Sequence, residues 1–379
     1  MKVAMSLLCE NPLLRTGLTT LFHEFVKHSL RLFPRVSWLL FAGPNQEWTI
    51  EDPRVRVDRQ FPANDRLRER LFADHFKVPA AAHAAGADVL LTIGFVPMRK
   101  PLPVVMHIFS LQHLDSQNRV GLARGLYRKW LTQFSWPKAD LIITNSKFAQ
   151  SQILAVRPEF SDRLVQSYEG LQHEQFTPIQ VSGESEKLKN QFGLEPGYVL
   201  WISNFYPYKQ ASLLIDAYAK LPDEIRRRHP LVCVGADWVG ELRARQEQVA
   251  KLGLRNEVKF FGWIADEWLA PLYRNARVFC LPSREETFGR CVIEAMACGA
   301  PCVVNDIPIM REVTAGDAIV VDFRNQTLAA KALAKALTDE SWRREMIPAG
   351  LARAKHFTFE RLATERINAV YKLVLRKKV

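Results

Sequence analysis

The chain has 379 residues, of which 48% are hydrophobic and 24% charged, and this length and composition predict a globular protein of two domains. No stretch approaches the roughly twenty apolar residues that span a bilayer, and the apolar run before Glu10 and Pro12 is too short for a secretory signal, so we predict a cytoplasmic protein. The net charge of +12 is spread over both halves and favours phosphate-bearing ligands and anionic membrane surfaces, whereas no zinc-finger, homeodomain or RNA-binding pattern indicates a nucleic-acid partner.

Short apolar runs separated by longer helical stretches fill the N-terminal half. The runs are continuous rather than alternating in polarity, which is typical of parallel strands covered on both faces of a sheet. The predicted strands are Val3–Leu8, Val36–Ala42, Val89–Ile93, Val104–Ile108 and Leu141–Thr144.

The same pattern restarts after a polar segment, Val181–Glu195, which carries Gly183 and Gly193 and is predicted to be the linker. The strands predicted beyond it are Tyr198–Ser203, Leu231–Gly235, Val258–Phe261, Val278–Leu281, Pro301–Val304 and Ala318–Val321. The helices predicted between them are Ala211–Lys220, Glu241–Leu252, Arg290–Cys298 and Leu328–Thr338. This repetition predicts two doubly wound, Rossmann-like α/β domains that face each other across a cleft.

The segment Ser283–Asp306, SREETFGRCVIEAMACGAPCVVND, is the most informative passage of the sequence. It leads from the end of a predicted strand through a short loop into a helix. Such a loop collects unpaired backbone N–H groups and a partial positive charge, so it suits a diphosphate. Gly289 lets the backbone approach an oxygen closely.

Two carboxylates of this segment, Glu286 in the loop and Glu294 inside the helix, lie at different depths. They suit hydroxyl groups on two parts of an extended ligand. The alternative is that acids decorate a helix N-terminus because of its dipole. Glu294 fits that alternative poorly, since it stands among apolar residues where an acid needs a partner.

The spacing of Glu286 and Glu294, followed by Ala-Met-Ala-Cys-Gly-Ala-Pro-Cys-Val-Val, resembles the donor-site signature of the family 4 retaining glycosyltransferases. The resemblance implies the GT-B fold, a sugar contact for Glu286 and a ribose contact for Glu294. It also implies that the backbone amides of Phe288, Gly289 and Arg290 approach the diphosphate and sugar, and that Thr287 belongs to the same donor-binding loop. By the same resemblance, residues 1–182 form an acceptor-binding domain, residues 195–356 a donor-binding domain, and the helix in 357–379 packs back on the first domain.

A lysine on the loop after the strand Tyr198–Ser203 agrees with this interpretation. Lys209 is placed to neutralise a leaving diphosphate, and the alternative is a solvated surface lysine. Asn204 stands where the family usually has Arg. Gly262 and Trp263 resemble the loop beside the nucleotide base, or else form a simple strand-end turn.

The N-terminal half contains weaker matches. Arg15-Thr16-Gly17 resembles the family's glycine loop, and Asn145-Ser146-Lys147 its strand-end serine motif. Phe109 and Ser110 occupy the places where many relatives have His-Asp. His107 and His113 are therefore both candidates for the sugar contact, the alternative being structural histidines.

The stretch Arg119–Trp136 is basic and aromatic. It forms either a crossover helix packed on the sheet or a helix resting on an anionic membrane, with Trp130, Phe134 and Trp136 dipping into the lipid.

These observations predict a retaining glycosyltransferase with Glu286 and Lys209 at its catalytic centre. It would move a sugar from a UDP- or GDP-sugar to a glycan or lipid-linked acceptor in surface polysaccharide or glycolipid synthesis, at the inner membrane face. No cofactor and no metal are expected, because a lysine and backbone dipoles carry the charge; the six cysteines are expected to be free thiols. The alternatives are a GT-B-fold sugar-nucleotide epimerase, a phosphorylase-type enzyme, for which no phosphate-site or pyridoxal-lysine motif stands out, and a non-catalytic nucleotide-sugar-binding protein.

Overall fold

The computed structural model describes residues 1–9, 17–46, 48–62, 65–109, 111 and 122–378. They form two compact units: Met1–Gly170 with Phe359–Val379, and Leu171–Thr358. His113, Arg15, Thr16 and Ser110 lie outside the described residues.

The first unit is built on a seven-stranded parallel sheet in the order β3-β2-β1-β4-β5-β6-β7. Its strands are β1 (Lys2–Ser6), β2 (Ser37–Phe41), β3 (Val55–Asp58), β4 (Val89–Ile93), β5 (Val104–His107), β6 (Leu141–Thr144) and β7 (Leu164–Gln166). Alternate residues of β1 enter different cores, Val3 and Met5 on one face and Ala4 on the other, so both faces are covered. Burial on both faces explains why these strands read as continuous apolar runs.

The helices of the first unit include the C-terminal one. They are α1 (Gly17–Leu32), α2 (Leu67–Phe72), α3 (Val78–Ala84), α4 (Leu122–Trp130), α5 (Lys147–Val156) and α15 (Phe359–Lys378). Single π-helical turns, Ala73–Lys77 and Leu131–Ser135, follow α2 and α4. Leu362, Ile367 and Val370 of α15 share a core with Phe25 of α1, which holds the end of the chain in this unit.

The second unit has a six-stranded parallel sheet in the order β10-β9-β8-β11-β12-β13. Its strands are β8 (Tyr198–Ile202), β9 (Leu231–Val234), β10 (Val258–Phe261), β11 (Ala276–Leu281), β12 (Cys302–Asn305) and β13 (Ile319–Val321). Its helices are α6 (Glu184–Phe192), α7 (Ala211–Ala219), α8 (Asp223–Arg228), α9 (Glu241–Lys251), α10 (Leu269–Asn275), α11 (Arg290–Ala297), α12 (Pro308–Thr314), α13 (Gln326–Thr338) and α14 (Glu340–Ala354).

The predicted strands and helices are present, with ends that differ by a few residues, but two strands were missed. β3 and β7 are the edge strands of the first sheet. The sequence of β3 is Val-Arg-Val-Asp and none of its residues is buried, whereas β7 has only three residues. Neither strand therefore carries the apolar run from which the others were predicted.

The prediction that Val181–Glu195 is a linker is wrong, because most of this segment forms the helix α6. Gly183 and Gly193 lie at the two ends of that helix with left-handed φ angles of 74° and 62°. Glu184 and Arg274 form a buried ion pair that attaches α6 to α10. The first unit ends at Gly170 rather than at residue 182, because Leu171 bridges to Thr358 within the second unit.

None of the helices in the described part of the chain is both long and apolar enough to cross a membrane.

Candidate functional site

The candidate site lies at the carboxyl ends of β8 and β11 in the second unit. These strands are neighbours in the sheet, although β9 and β10 come between them in sequence. Strands β9 and β10 lie on the far side of β8, and β12 and β13 lie on the far side of β11, so the direction of chain order reverses between β8 and β11. Ligands of doubly wound folds bind at such a switch point, outside the carboxyl ends of the strands.

Lys209 and Glu286 meet at this switch point. The Lys209 Nζ atom lies 2.6 Å from Oε1 of Glu286, and the two side chains are only 15% and 7% exposed. A second link joins the same two loops, since the Arg284 amide donates to the carbonyl oxygen of Tyr208 at 2.8 Å. Lys209 is thus a buried member of an ion pair and not a solvated surface lysine.

The pKa of Lys209 depends on both its burial and its neighbour Glu286. Burial lowers the pKa of Lys209, but the charge and hydrogen bond of Glu286, together with Cys291 and Tyr208, raise this pKa above its usual value. The residue after the lysine has an unusual backbone conformation. Gln210, the next residue, has a left-handed φ of 53°, a conformation that costs a non-glycine residue about 1 kcal/mol or more.

The loop that carries Glu286 ends at Gly289, which precedes α11. Gly289 has a φ of 89°, and a Cβ atom on it would lie 2.4 Å from the Cε atom of Met310. Phe288 is 1% exposed and packs edge-on against Phe357, so its side chain anchors the loop. Thr287 is half-buried beside it, and Arg290 is the first residue of α11. The N-terminus of α11 thus follows Glu286 within four residues, and a helix N-terminus attracts anions.

Glu294 has protein partners, which the sequence did not reveal. Its Oε2 atom accepts a hydrogen bond of 3.0 Å from the Tyr273 hydroxyl, and its Oε1 atom lies 3.8 Å from Nε of Arg290. Burial, followed by the negative charge of Glu294, raises the pKa of Tyr273 well above its usual value, which keeps this hydroxyl a donor. Tyr273 is therefore a site residue that the sequence analysis missed. Nothing local marks it, because it lies on a different helix, α10.

The remaining candidates of the second unit lie on the loops after β8, β9 and β10. Asn204 is exposed, and its carbonyl oxygen accepts from the Tyr206 amide at 2.8 Å. Trp263 follows Gly262 and is 65% exposed, so its ring is accessible to a ligand. Gly235, which directly follows β9, was not predicted as a site residue. A Cβ atom there would lie 1.8 Å from the Ser203 carbonyl oxygen, so only glycine lets these loops meet.

Two candidates in the first unit, Ser146 and His107, are buried. The Ser146 hydroxyl caps α5 by accepting from the Ala149 amide at 3.0 Å, and Ser146 is fully buried. His107 is 1% exposed and packs between the rings of Phe22 and Phe109. Burial, with the nearby Arg366 charge, lowers its pKa well below the usual value. Ser146 is therefore a helix cap. The sugar contact of His107 stays a prediction, since neither of its buried ring nitrogens makes a hydrogen bond within the described residues.

Gly17 is exposed and begins α1. Arg15 and Thr16 of the proposed glycine loop, and His113, are not among the described residues, so both assignments remain predictions.

The basic aromatic stretch Arg119–Trp136 agrees only in part with the predicted membrane face. Trp136 is 1% exposed and donates from Nε1 to the Gly94 carbonyl oxygen at 2.9 Å, so it cannot enter a bilayer. Trp130 is half-buried and stacks on Tyr127. Phe134 remains exposed at 57%, and Leu126, which was not predicted, is exposed at 62%.

All six cysteines are free thiols, as predicted, and four of them are buried. Among the described residues, no cluster of three or more histidine, cysteine or acidic side chains has an arrangement suited to a metal ion.

The two parallel-sheet α/β units, with a switch-point site in the second, define the GT-B fold, and the fold prediction is confirmed. Sucrose-phosphate synthase from Thermosynechococcus elongatus superposes with a TM-score of 0.78 at 21% identity and covers 99% of both chains. Anabaena HepE in complex with UDP and glucose superposes with a TM-score of 0.73 at 19% identity, covering 98% of this chain and 100% of that one.

The sequence comparisons point to the same class of protein. Residues 184–353, which include Lys209, Glu286 and Glu294, match the family glycosyl transferases group 1. O-antigen chain mannosyltransferase B of Escherichia coli is 33% identical over 242 residues. The match covers 63% of this chain and 62% of that relative's length.

Proposed function

We propose that this chain is a retaining glycosyltransferase of family 4, which transfers a hexosyl group from a UDP- or GDP-sugar to a glycan or lipid-linked acceptor. The buried pair of Lys209 and Glu286 at the switch point of the second unit carries this proposal. It lies within the segment that matches glycosyl transferases group 1. The likeness to an O-antigen mannosyltransferase supports a role in surface polysaccharide or glycolipid synthesis.

The leaving diphosphate would bind between Lys209 and the N-terminus of α11. An ammonium group has three N–H donors, and Glu286 occupies one of them. The others, with the amides that follow Gly289, would stabilise the negative charge that develops as the glycosidic oxygen leaves. In this proposal these groups, and not a bound metal, neutralise the diphosphate.

The two carboxylates would hold the hydroxylated ends of the donor. Glu286 would accept hydrogen bonds from the transferred sugar. Because Glu286 pairs with Lys209, this sugar contact would lie beside the contact between Lys209 and the diphosphate. Glu294 would accept a ribose hydroxyl, and Tyr273 and Arg290 would orient it. A carboxylate accepts up to about four hydrogen bonds, so these protein partners are compatible with a ligand. The exposed ring of Trp263 would lie beside the base.

A donor screen followed by product analysis tests the proposal. We expect one sugar linked to UDP or GDP to raise the melting temperature, because a ligand that binds the folded state stabilises it by mass action. With that donor and an oligosaccharide acceptor, proton NMR should show a product with the anomeric configuration of the donor. A product of inverted configuration would refute retention. Conversion of the donor into another sugar nucleotide without any acceptor would instead support the epimerase. Donor binding without any turnover would support the non-catalytic binding protein.

We also propose that the protein works at the cytoplasmic face of an anionic membrane, with Leu126 and Phe134 entering the lipid and Lys129 at the headgroups. We expect it to sediment with vesicles that contain phosphatidylglycerol and to be released at about 1 M salt, where the screening length falls to about 3 Å. Protein that stays in the supernatant at low salt would contradict this.

A further inference from the structure

Two tyrosine rings beside Lys209 are not used by the proposed reaction. Tyr206 and Tyr208 lie on the loop after β8, on either side of Pro207 and directly before the lysine. Their rings are stacked, with centres 5.5 Å apart and planes at 10° to each other. Nearly parallel rings at this separation are offset from one another, which is a favoured arrangement of aromatic pairs. Each ring therefore supports the position of the other.

The backbone that carries the two rings is held by several contacts. Pro207 restricts its own φ angle to about −65°, and Pro207–Lys209 forms a single 3-10 turn. The Lys209 amide donates to the Tyr206 carbonyl oxygen at 2.9 Å, and the Tyr208 carbonyl oxygen accepts from the Arg284 amide at 2.8 Å. The loop of the two tyrosines is thus attached to the loop after β11, which also carries Glu286.

The face of the Tyr208 ring contacts the ammonium group of Lys209. The Lys209 Nζ atom lies 5.3 Å from the ring centre, within the roughly 6 Å over which an aromatic face attracts a cation. Burial raises the pKa of Tyr208 above its usual value, so the ring stays a neutral phenol. The same ammonium group lies 2.6 Å from Oε1 of Glu286. Two different groups therefore hold this cation, a carboxylate and an aromatic face.

An aromatic face suits a lysine that must also bind an anion. The lysine side chain has a flexible stem, and holding its end in one place costs rotamer entropy. A positive charge stabilises a leaving group best when it is already in place before the reaction. A second carboxylate would hold the ammonium as well, but its negative charge would repel a diphosphate. The neutral ring of Tyr208 restricts Lys209 without adding negative charge.

We propose that Tyr208, supported by its stack on Tyr206, is a positioning residue that keeps the Lys209 ammonium in place for the leaving diphosphate. This inference rests on the proposed function, because that function assigns the diphosphate to Lys209. The aromatic ring carries the role, and the hydroxyl group does not.

A double-mutant cycle on kcat distinguishes positioning from a general structural role. We expect Tyr208→Leu to lower kcat about three- to ten-fold, the loss that one partly buried cation–π contact implies. Tyr208→Phe keeps the ring and should stay within about two-fold of the wild type. In the Lys209→Ala background, Tyr208→Leu should have no further effect, because the ring acts through the ammonium group. Tyr206→Leu removes only the support of the ring and should lower kcat by less than Tyr208→Leu.

Tyr371→Leu is the matched control. Tyr371 is a half-buried tyrosine of the first unit, and its ring packs against that of Phe33 with centres 6.2 Å apart. We expect it to keep the kcat of the wild type, and melting temperatures check that every variant is folded. Three results would overturn the proposal: Tyr208→Leu turns over at the wild-type rate, Tyr208→Phe is as slow as Tyr208→Leu, or Tyr208→Leu lowers kcat equally with and without Lys209.

Calorimetric titration with UDP and GDP separates this inference from the proposed function. The wild type, Tyr208→Leu, Lys209→Ala and the double variant are titrated. If the wild type transfers no sugar, the transferase function is wrong. The positioning role then stands if Tyr208→Leu weakens nucleoside-diphosphate binding in the presence of Lys209 but not in its absence. Equal affinity of Tyr208→Leu and the wild type, or no binding of either diphosphate, would refute it.

Discussion

Lys209→Ala is expected to lower kcat about 10²- to 10³-fold, because it removes a preorganised positive charge from the leaving diphosphate. The structure adds a second effect. Glu286 is only 7% exposed, so the loss of its partner leaves a desolvated carboxylate unpaired and should lower the free energy of unfolding by about 1–3 kcal/mol. Transfer assays with the donor identified by screening, together with thermal unfolding, measure the two effects.

A double variant separates catalysis from stability. Lys209→Met with Glu286→Gln removes both charges while keeping similar volume. We expect it to recover most of the lost stability, since no buried charge is left alone, but to stay inactive. Lys220→Ala, an exposed lysine at the end of α7, serves as the control and should match the wild type. If Lys209→Ala turns over at the wild-type rate, Lys209 is not a catalytic residue.

Gly235→Ala is expected to lower the free energy of unfolding by about 2–4 kcal/mol and to weaken donor binding at the same time. The new Cβ atom would lie 1.8 Å from the Ser203 carbonyl oxygen, which is backbone and cannot rotate away. The loop after β8 must then move, and Lys209 lies on that loop. Thermal unfolding and donor titration should show both losses together.

Gly262→Ala is the matched control for stability. It lies after the next strand, β10, and no described atom would come within 4 Å of its new Cβ atom. We expect its melting temperature to stay within about 2 °C of the wild type. If Gly235→Ala unfolds at the same temperature as Gly262→Ala, the close approach of the loops after β8 and β9 has no energetic importance.

The sequence predicted the elements of the second unit well because their signals are local. A buried parallel strand such as Leu231–Val234 is a short apolar run that ends at a glycine, and α11 begins directly after Gly289. Each of these signals lies within a few neighbouring residues. The edge strand β3 was missed for the same reason, since charged residues alternate with its two valines and no continuous apolar run marks it.

The linker was misjudged because polarity alone does not distinguish a linker from a surface helix. Glu184–Phe192 is polar on most positions and buries only Glu184 and Leu188. The ion pair that attaches this helix to α10 comes from Arg274, which is 90 residues away from Glu184 in the sequence. No local pattern contains that contact.

Taken by itself, the sequence determined which residue types follow which strands. A lysine follows β8, and after β11 come two acids, with a glycine and the start of a helix between them. Only the tertiary structure decided their partners. Lys209 and Glu286 are 77 residues apart and meet because β8 and β11 are adjacent, and Glu294 binds Tyr273 because α10 packs beside α11. The physical reason is that composition and periodicity are properties of chain neighbours, whereas the order of strands in a sheet is set by the packing of the whole unit.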